Sequence, residues 1–526
     1  MRPLAVISGI GRSGVSTKRG TSSGAALAAG AVLNACGDGG IAPRSIDGFV
    51  TYGGEQQELA GALASRLGVE RVRLGRMRWG GGGGGLGDAI GLAARAVEDG
   101  EARAVAVVRV VGTGDRDEAR IAPGDWRNRY LEAAGATDLA HLYALQYSRW
   151  MHEHGGGLEA QLAVVLASYL HASRNPLAQR RQARLDRRRY LRAPWVVEPW
   201  RLYDCCLRGS GGAAVIVTAR DRADAGDGAV AVRAVAGVFE TRCDPLEARG
   251  DGGSAGCLAT AAALWERAGV GPADVDVVQC YDNFSGGVVA ALCDYGLFDA
   301  DRVDELMTVD ALTAPAGTRP LNTDGGQLAD AYLQGLGQVQ EAVRQLRGTS
   351  VNQVPGARMA LVAGGPFVGA TSGAVLERRG PVRARACATA AEMRLPAEID
   401  AEHWEALARG ELKIQRCADC ASWRWPPGEV CRECGSLRLA WEPTEPEGVV
   451  WSLTTVWHVA GSGAQPGEVP YLLVVVELDG ASGVRLVGRL ASGSTQEITI
   501  GSRVRAGATD RDGGPALRWH AVGDAG

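Results

Sequence analysis

Lysine is almost missing from this chain: of 56 basic residues only Lys18 and Lys413 are lysines. Lys18 falls in a loop-like leading segment and Lys413 on the approach to a cysteine cluster, so neither lies on a core motif, and imine chemistry through a pocket lysine is excluded. Histidine is scarce as well. Of the seven, only His152 and His154 stand close together, which leaves no ligand cluster for a catalytic metal with an open position. No apolar stretch approaches the length of a bilayer span. The N-terminus "MRPLAVISGIGRSG" is short, glycine-broken and strand-like, unlike a signal peptide, and a cytoplasmic location is expected.

What is present describes a globular chain with ample core: 526 residues, 46% hydrophobic, with a formal charge of -4. Two or three domains are expected. Up to residue 378, short apolar runs ("AVAVVRVV", "AAVIVTA", "VDVVQC", "ARMALVAGG") alternate with helical stretches ("GAALAAGAVLNAC", "GDAIGLAARAVEDG", "LATAAALWERAG", "LADAYLQGLGQVQEAVRQLRG"). That alternation predicts a layered α/β domain, 1–378. The pattern occurs twice, with a seam expected at "RDRADAGDG", 220–228, where a polar Asp/Gly loop separates two strand-like runs. A linker is expected at 379–398, a helical lead and cysteine cluster at 399–443, and a β-rich tail at 444–526.

Eight of the twelve cysteines are scattered; Cys417, Cys420, Cys431 and Cys434 are not. Their CxxC–x10–CxxC spacing lets two tight turns offer four thiolates to one Zn²⁺, a closed shell that makes the site structural. Beyond it, "GVVWSLTTVWHV", "YLLVVVELDG", "GVRLVGRLAS", "SRVRAGATD" and "ALRWHAV" predict five short strands of an OB-like barrel. Trp451, Trp457, Tyr471 and Trp519 do not make it a nucleic-acid platform, because the few arginines are offset by Asp and Glu and no positive stripe is present. The arginine run "QRRQARLDRRRYLR", 179–192, is read as a solvated face in preference to a phosphate site.

The stretch "HWEALARGELKIQRCADCASWRWPPGEVCRECGSL" with its β-rich tail resembles the DUF35 module, a zinc ribbon followed by an OB-fold that accompanies acyl-CoA-using enzymes. The region before it resembles the thiolase-like lipid-transfer proteins of the sterol-carrier-protein-x type, through "WGGGGGGLGDAIGLAARAVEDG", "LYDCCLRGSGGAAVIVT", "YDNFSGG" and "PLNTDGGQLADAYLQGLGQVQEAVRQLRG". Together the two resemblances cover nearly the whole chain.

Condensing thiolases carry a nucleophilic cysteine at the start of a helix ending in glycine. Counting back from Gly100 puts that position at Gly83 or an immediate neighbour, and no cysteine occurs between Cys36 and Cys205. The second thiolase cysteine is missing from "LVAGGPFVG". The Asn-Glu-Ala-Phe motif aligns with Tyr281-Asp282-Asn283-Phe284, and the histidine of Gly-His-Pro aligns with Tyr332, six residues after the second glycine of "NTDGG". The phenol pair resembles the catalytic tyrosines of thiolase-like aldolases that shorten steroid side chains.

That resemblance implies retro-aldol cleavage of a β-hydroxyacyl-CoA, with Tyr332 as base and Tyr281 as acid and enolate stabiliser, the two roles being exchangeable at this stage. Substrate binding is expected from Gly83, Asp282, Asn283, Gly325, Gly326 and Gln334. It further implies a homodimer and an acyl-CoA dehydratase or dehydrogenase that delivers the substrate. Gln334 stands where many relatives have histidine, and "FDADRVDE" replaces the usual Gly-Glu-Gly segment, so the acyl group, the carrier and the direction of reaction stay open. An aldol-forming or acyl-transfer enzyme of secondary metabolism and a non-catalytic acyl-CoA-binding scaffold are the alternatives.

Overall fold

The computed structural model describes residues 5–16, 24–52, 60, 63–64, 67, 69, 71–78, 82–112, 129–220, 229–237, 254–365, 367, 370–379, 401–425, 427, 431, 433–434, 438–458, 469–491, 498–511 and 514–522. Most of the expected seam (221–228) and nearly all of the expected linker (380–398) lie outside them.

The first half of the sheet contributes β1 (Ala5–Ser16), β2 (Gly48–Tyr52), β3 (Leu74–Arg78) and β4 (Ala104–Val111). A small hairpin follows, β5 (Trp195–Val197) and β6 (Trp200–Arg201), and then β7 (Ser210–Thr218). The second half contributes β8 (Val230–Ala236), β9 (Val277–Cys280), β10 (Met359–Gly364) and β11 (Ser372–Arg378). Nine strands join in the order β3-β2-β4-β7-β1-β8-β11-β10-β9. The order mirrors itself about the β1/β8 contact. In the first half β2 is parallel to β3 and β4, β4 is antiparallel to β7, and β7 is antiparallel to β1. In the second half β9 is parallel to β10, β10 is antiparallel to β11, and β11 is antiparallel to β8, while a parallel bridge from Val278 to Leu321 fills the place of the missing strand. One topology is thus used twice, as the doubled pattern predicts.

All residues of β4 and β7 are buried, as continuous apolar runs require when both faces of a sheet are covered. Val105 and Val107 pack with the helices Leu86–Glu98 and Leu336–Arg347, whereas Ala104, Ala106 and Val108 pack with the helix Gly24–Gly39. Between β4 and β7 the chain inserts the helices Leu139–His154 and Leu158–Arg174, whose apolar faces join a core that includes Val278, Cys280 and Ala363.

After the helix Ala401–Ala408, β12 (Lys413–Cys417), β13 (Trp423–Arg424) and β14 (Leu439–Pro443) form a three-stranded sheet at the cysteine cluster. The tail folds as β15 (Glu447–Val456), β16 (Tyr471–Leu478), β17 (Arg485–Leu490), β18 (Arg503–Arg511) and β19 (Gly514–Ala521). Their order β16-β17-β19-β18-β15, closed by β15 against β16 with β17 parallel to β19, is the five-stranded OB barrel.

The sequence does not predict how closely that barrel joins the thiolase-like body. β5 pairs with β15 at Val197 and Val456, so the hairpin extends the barrel sheet. Ser452 and Thr454 donate to the carbonyls of Leu145 and Glu198, Tyr471 Oη donates to Gly135 O at 2.5 Å, and Arg489 Nε donates to Ala134 O at 3.1 Å. Arg149 lies over the Trp451 ring at 4.9 Å. One apolar core runs from Val278 through the inserted helices to Val450 and Val474–Val476. Among the described residues no helix is long and apolar enough to cross a membrane.

A second departure bears on the site. "LADAYLQGLGQVQEAVRQLRG", expected as a helical stretch, is divided between a short helix Gly326–Ala329 and a longer one Leu336–Arg347. The break carries Gln334 at φ 46° and Gly335 at φ 92°. Left-handed backbone cannot continue an α-helix.

Candidate active site

β9 ends at Cys280 and hands the chain to Tyr281, whose amide donates to Ala363 O at 2.8 Å and so extends the pairing with β10. The turn is clasped from the side: Asn322, itself at φ 43°, accepts from Cys280 N at 2.8 Å and donates back to Cys280 O at 2.9 Å. Phe284 then caps the helix Ser285–Asp294. Tyr281 is therefore fixed by its own backbone bond to β10 and by the side-chain clasp on the residue before it, and is only 4% exposed.

Its ring lies on Gly83. A Cβ there would overlap Cδ2, Cε2 and Cζ of Tyr281, and Gly335 brings its backbone against the same ring edge. The space beside Gly83, which the thiolase resemblance gives as the cysteine position or an immediate neighbour of it, is filled by a tyrosine ring. The nearest titratable group to the Tyr281 phenol is that of Tyr332, which sits in the break between the two helices. That break is braced by Tyr52 Oη donating to Gln334 O at 2.9 Å and by Gly335 N donating to Gln327 Oε1 at 3.1 Å. Tyr52 itself is fully buried, with the Arg109 guanidinium 6.0 Å over its ring.

Burial, then the neighbouring Tyr332, Tyr143 and Cys206, pushes the Tyr281 phenol well above its usual value. It stays protonated and is placed to donate. Tyr332 is less buried and packs at the margin of the Leu336 helix core.

The remaining expected site residues divide. Asp282 is fully buried, and its oxygens accept from Gln327 N (3.0 Å), Leu328 N (3.3 Å) and Gln338 Nε2 (2.6 Å). Expected at the substrate, it instead holds the short helix that leads to Tyr332; burial raises its carboxyl to about 7. Gly326 makes room for it, since a Cβ there would strike Asp282 Oδ2, and Gly325 at φ 112° packs on Ala172. These two glycines shape the turn. Gln334 contributes its carbonyl to Tyr52. Gly83 lies under the Tyr281 ring, and Asn283 follows two residues after Tyr281: the Oδ1 of Asn283 accepts from Phe284 N at 3.1 Å, and the Phe284 ring lies 5.0 Å from that of Tyr143.

Three neighbours escaped the sequence reading. Tyr143 comes from the inserted helix, Tyr52 from the end of β2, and Cys206 from the segment before β7, its amide donating to Asn283 O at 2.9 Å. Burial, then Asp282, pushes the Cys206 thiol up to about 12, so it is held as a neutral thiol near the site. No local signal marks these residues; "LAHLYALQY" reads as an ordinary buried helix face.

The second cluster is the ribbon. The sulfurs of Cys417, Cys420, Cys431 and Cys434 all lie within 4.8 Å of one another, with Cys417 to Cys434 at 3.6 Å and Cys420 to Cys431 at 3.5 Å. Zn–S bonds of about 2.3 Å in a tetrahedron separate sulfurs by about 3.8 Å, so the donor set fits zinc and fills its shell. The ion would brace the ribbon, and no reaction step passes through it.

The doubled sheet, the glycine under a buried phenol and the appended ribbon and barrel define a thiolase-fold lyase. Residues 246–378 match the thiolase C-terminal domain-like family, residues 404–440 the ChsH2 rubredoxin-like zinc ribbon domain, and residues 441–509 the ChsH2 C-terminal OB-fold domain. The chain is 31% identical to 17-hydroxy-3-oxo-4-pregnene-20-carboxyl-CoA lyase of Mycobacterium tuberculosis, over 71% of this chain and 98% of that protein. It is 30% identical to a steroid side-chain-cleaving aldolase of Thermomonospora curvata, over 71% and 97%. The solved Ltp2-ChsH2(DUF35) aldolase superposes with a TM-score of 0.65 at 28% identity, covering 72% of this chain and 98% of that one. This chain belongs to the thiolase-fold aldolases that these proteins represent, and it carries the ChsH2-type ribbon and OB-fold on the same polypeptide.

Proposed function

We propose that the protein cleaves a β-hydroxyacyl-CoA with a bulky, steroid side-chain-like acyl group by a retro-aldol reaction carried by Tyr281 and Tyr332. The observation that carries this reading is the Tyr281 ring packed on Gly83 and against Gly335, in the break that also holds the partly buried Tyr332. Because burial keeps Tyr281 protonated, the base of the pair is Tyr332. As a phenolate Tyr332 takes the β-hydroxyl proton; the carbinol becomes a carbonyl, the Cα–Cβ bond breaks, and its electron pair passes to Cα and the thioester oxygen as an enolate. Tyr281 then gives its proton to Cα, releasing the shortened acyl-CoA. Tyr332 then returns its proton to Tyr281, which resets the pair. No acyl-enzyme forms, and the neutral thiol of the half-buried Cys206 is consistent with that.

The test is incubation with a panel of β-hydroxyacyl-CoAs, with mass spectrometry for a shorter acyl-CoA and the matching ketone or aldehyde. Equimolar appearance of both supports the reading. No cleavage of any member, together with tight binding of the panel, establishes the acyl-CoA-binding scaffold instead.

We also propose a homodimer. Among the described residues the outer strand β3 pairs only with β2, which leaves an edge that a second copy can cover. A monomer by light scattering at micromolar concentration overturns it. A β-hydroxy thioester is the product of hydrating an enoyl thioester, so the supplying partner is an acyl-CoA hydratase acting after a dehydrogenase; co-purification of such an enzyme from the source cell supports this.

A further inference from the structure

The break that holds Tyr332 carries a donor with nothing to donate to. Gln327, 1% exposed, stands in the short helix Gly326–Ala329 and reaches across the break, where its Oε1 accepts from Gly335 N at 3.1 Å. A backbone N–H can only donate, so this bond fixes which end of the carboxamide is oxygen and which is nitrogen. The nitrogen, Nε2, is buried and finds no hydrogen-bond partner among the described residues. The rest of Gln327 is engaged: its backbone N–H donates to Asp282 Oδ1 at 3.0 Å and its carbonyl accepts from Leu207 N at 2.8 Å. Burying an amide donor without an acceptor costs stability, and such a group in a folded protein calls for a reason.

The position of this donor supplies one. Gly335, which fixes the carboxamide, is also the glycine whose backbone approaches the Tyr281 ring: a Cβ on it would lie 3.1 Å from Cδ2 and 3.6 Å from Cε2 of that ring. The bond from Gln327 to Gly335 closes a loop that contains Tyr332, so the unpaired N–H groups lie where the two phenols meet. In the retro-aldol step Tyr332 serves the β-hydroxyl and Tyr281 serves Cα. The thioester oxygen, which takes up charge as the enolate forms, has no donor from that pair. Two other side-chain amides of this turn are already engaged, Asn322 Nδ2 with Cys280 O at 2.9 Å and Gln338 Nε2 with Asp282 Oδ1 at 2.6 Å.

Resting on the retro-aldol reading, we propose that Gln327 is a further catalytic residue, whose Nε2 donates a hydrogen bond to the thioester oxygen of the bound acyl-CoA and stabilises the charge that gathers there as the Cα–Cβ bond breaks. The carboxamide transfers no proton: its hydrogen bond tightens on the enolate and relaxes when Tyr281 protonates Cα and the carbonyl re-forms. A fixed dipole aimed at developing charge acts most strongly where water is excluded, and Gln327 is fixed and buried before substrate arrives.

Gln327→Glu keeps an acceptor for Gly335 N and replaces the donor by a carboxyl group; Gln327→Met keeps the length and removes both. Loss of one such donor lowers kcat by about a hundredfold to a thousandfold, and that is the fall expected of each variant at alkaline pH, with KM changed far less. Gln327→Glu should recover activity as pH falls, because a protonated carboxyl donates again, whereas Gln327→Met should not, so the ratio of their kcat values rises toward acid. A bracing role alone, through Gly335, leaves Gln327→Glu near wild-type kcat at every pH, and that result overturns the proposal. Wild-type kcat in both variants, with Nε2 then serving only a trapped water, overturns it equally. Should neither variant fold, the unmodified protein decides. With the shortened acyl-CoA product carrying ¹³C at its thioester carbonyl, the infrared carbonyl band should move to lower frequency on binding, and an unmoved band overturns the proposal. Tyr281→Phe and Tyr332→Phe run alongside. If they keep near-normal turnover, the retro-aldol reading has failed; if they lose turnover while the Gln327 variants do not, only the role of Gln327 has failed.

Discussion

Gly83 and Tyr281 occupy one space: the glycine has no side chain where the tyrosine ring needs room, and any Cβ would fall inside that ring. The two positions, 198 residues apart in the chain, have therefore to be read together. A side chain at 83 and the tyrosine ring at 281 exclude each other, and under the proposed retro-aldol reading the phenol takes that space for proton transfer.

Gly83→Ala should displace the Tyr281 ring. Overpacking of this kind costs about 1–3 kcal/mol, so the variant should fold with a lowered melting temperature, while turnover falls as far as in Tyr281→Phe. Gly83→Cys should be no better, and intact-mass analysis after incubation with substrate should find no acyl adduct. A Gly83→Cys protein that acylates and condenses would show that the thiolase site survives beneath the tyrosine.

Tyr281→Phe and Tyr332→Phe should each fold normally, since each removes one oxygen, and each should lower kcat by about a hundredfold to ten-thousandfold. The double variant should lose less than the product of the two, because groups serving one step are not additive. Near-wild-type turnover in both single variants would return Tyr281 to the role of a buried aromatic.

The ribbon should hold about one zinc per chain, because four thiolates within 4.8 Å close a tetrahedral shell. Cys431→Ser should release the metal in elemental analysis of protein prepared without chelator. Wild-type protein free of zinc under the same preparation would contradict the assignment.

His141 lies where the inserted helix meets the barrel, 1% exposed, with the backbone of Gly135 and His458 around its ring. Burial lowers its pKa to about 4 from the ordinary 6.5, so between those values the folded protein binds fewer protons than the unfolded chain. Its stabilising contribution is complete above about 6.5 and is lost as pH falls toward 4, on the order of 3 kcal/mol over the whole window. Asp282, raised to about 7 by burial, acts in the opposite sense. The measurement is therefore a difference: the melting temperature of His141→Phe should fall less steeply than that of the wild type between pH 6.5 and 4. Parallel curves would remove His141 from the acid response.

The amino-acid order alone determined whatever depends on near neighbours. Four cysteines in two CxxC turns face one another because the chain between them is short, and the five apolar runs of the tail become barrel strands because their alternation and turn residues leave little else. Tyr281 was legible because a buried strand must hand it to a helix, and Gly83 because it stands at a countable distance from the glycine that ends that helix. The tertiary structure decided the rest. Nothing near Gln334 in the chain announces that Tyr52, 282 residues away, will hold its carbonyl in the break that carries Tyr332. Asp282 reads as a pocket carboxylate until packing turns it inward onto Gln327, Leu328 and Gln338. Tyr143 looks like an ordinary core residue, and nothing marks the β5 hairpin as a partner for the barrel, until the inserted helices are pressed between the sheet and the barrel. Spacing along the chain limits what short segments can form; which distant groups then share a buried hydrogen bond depends on how apolar surfaces from remote segments close over one another.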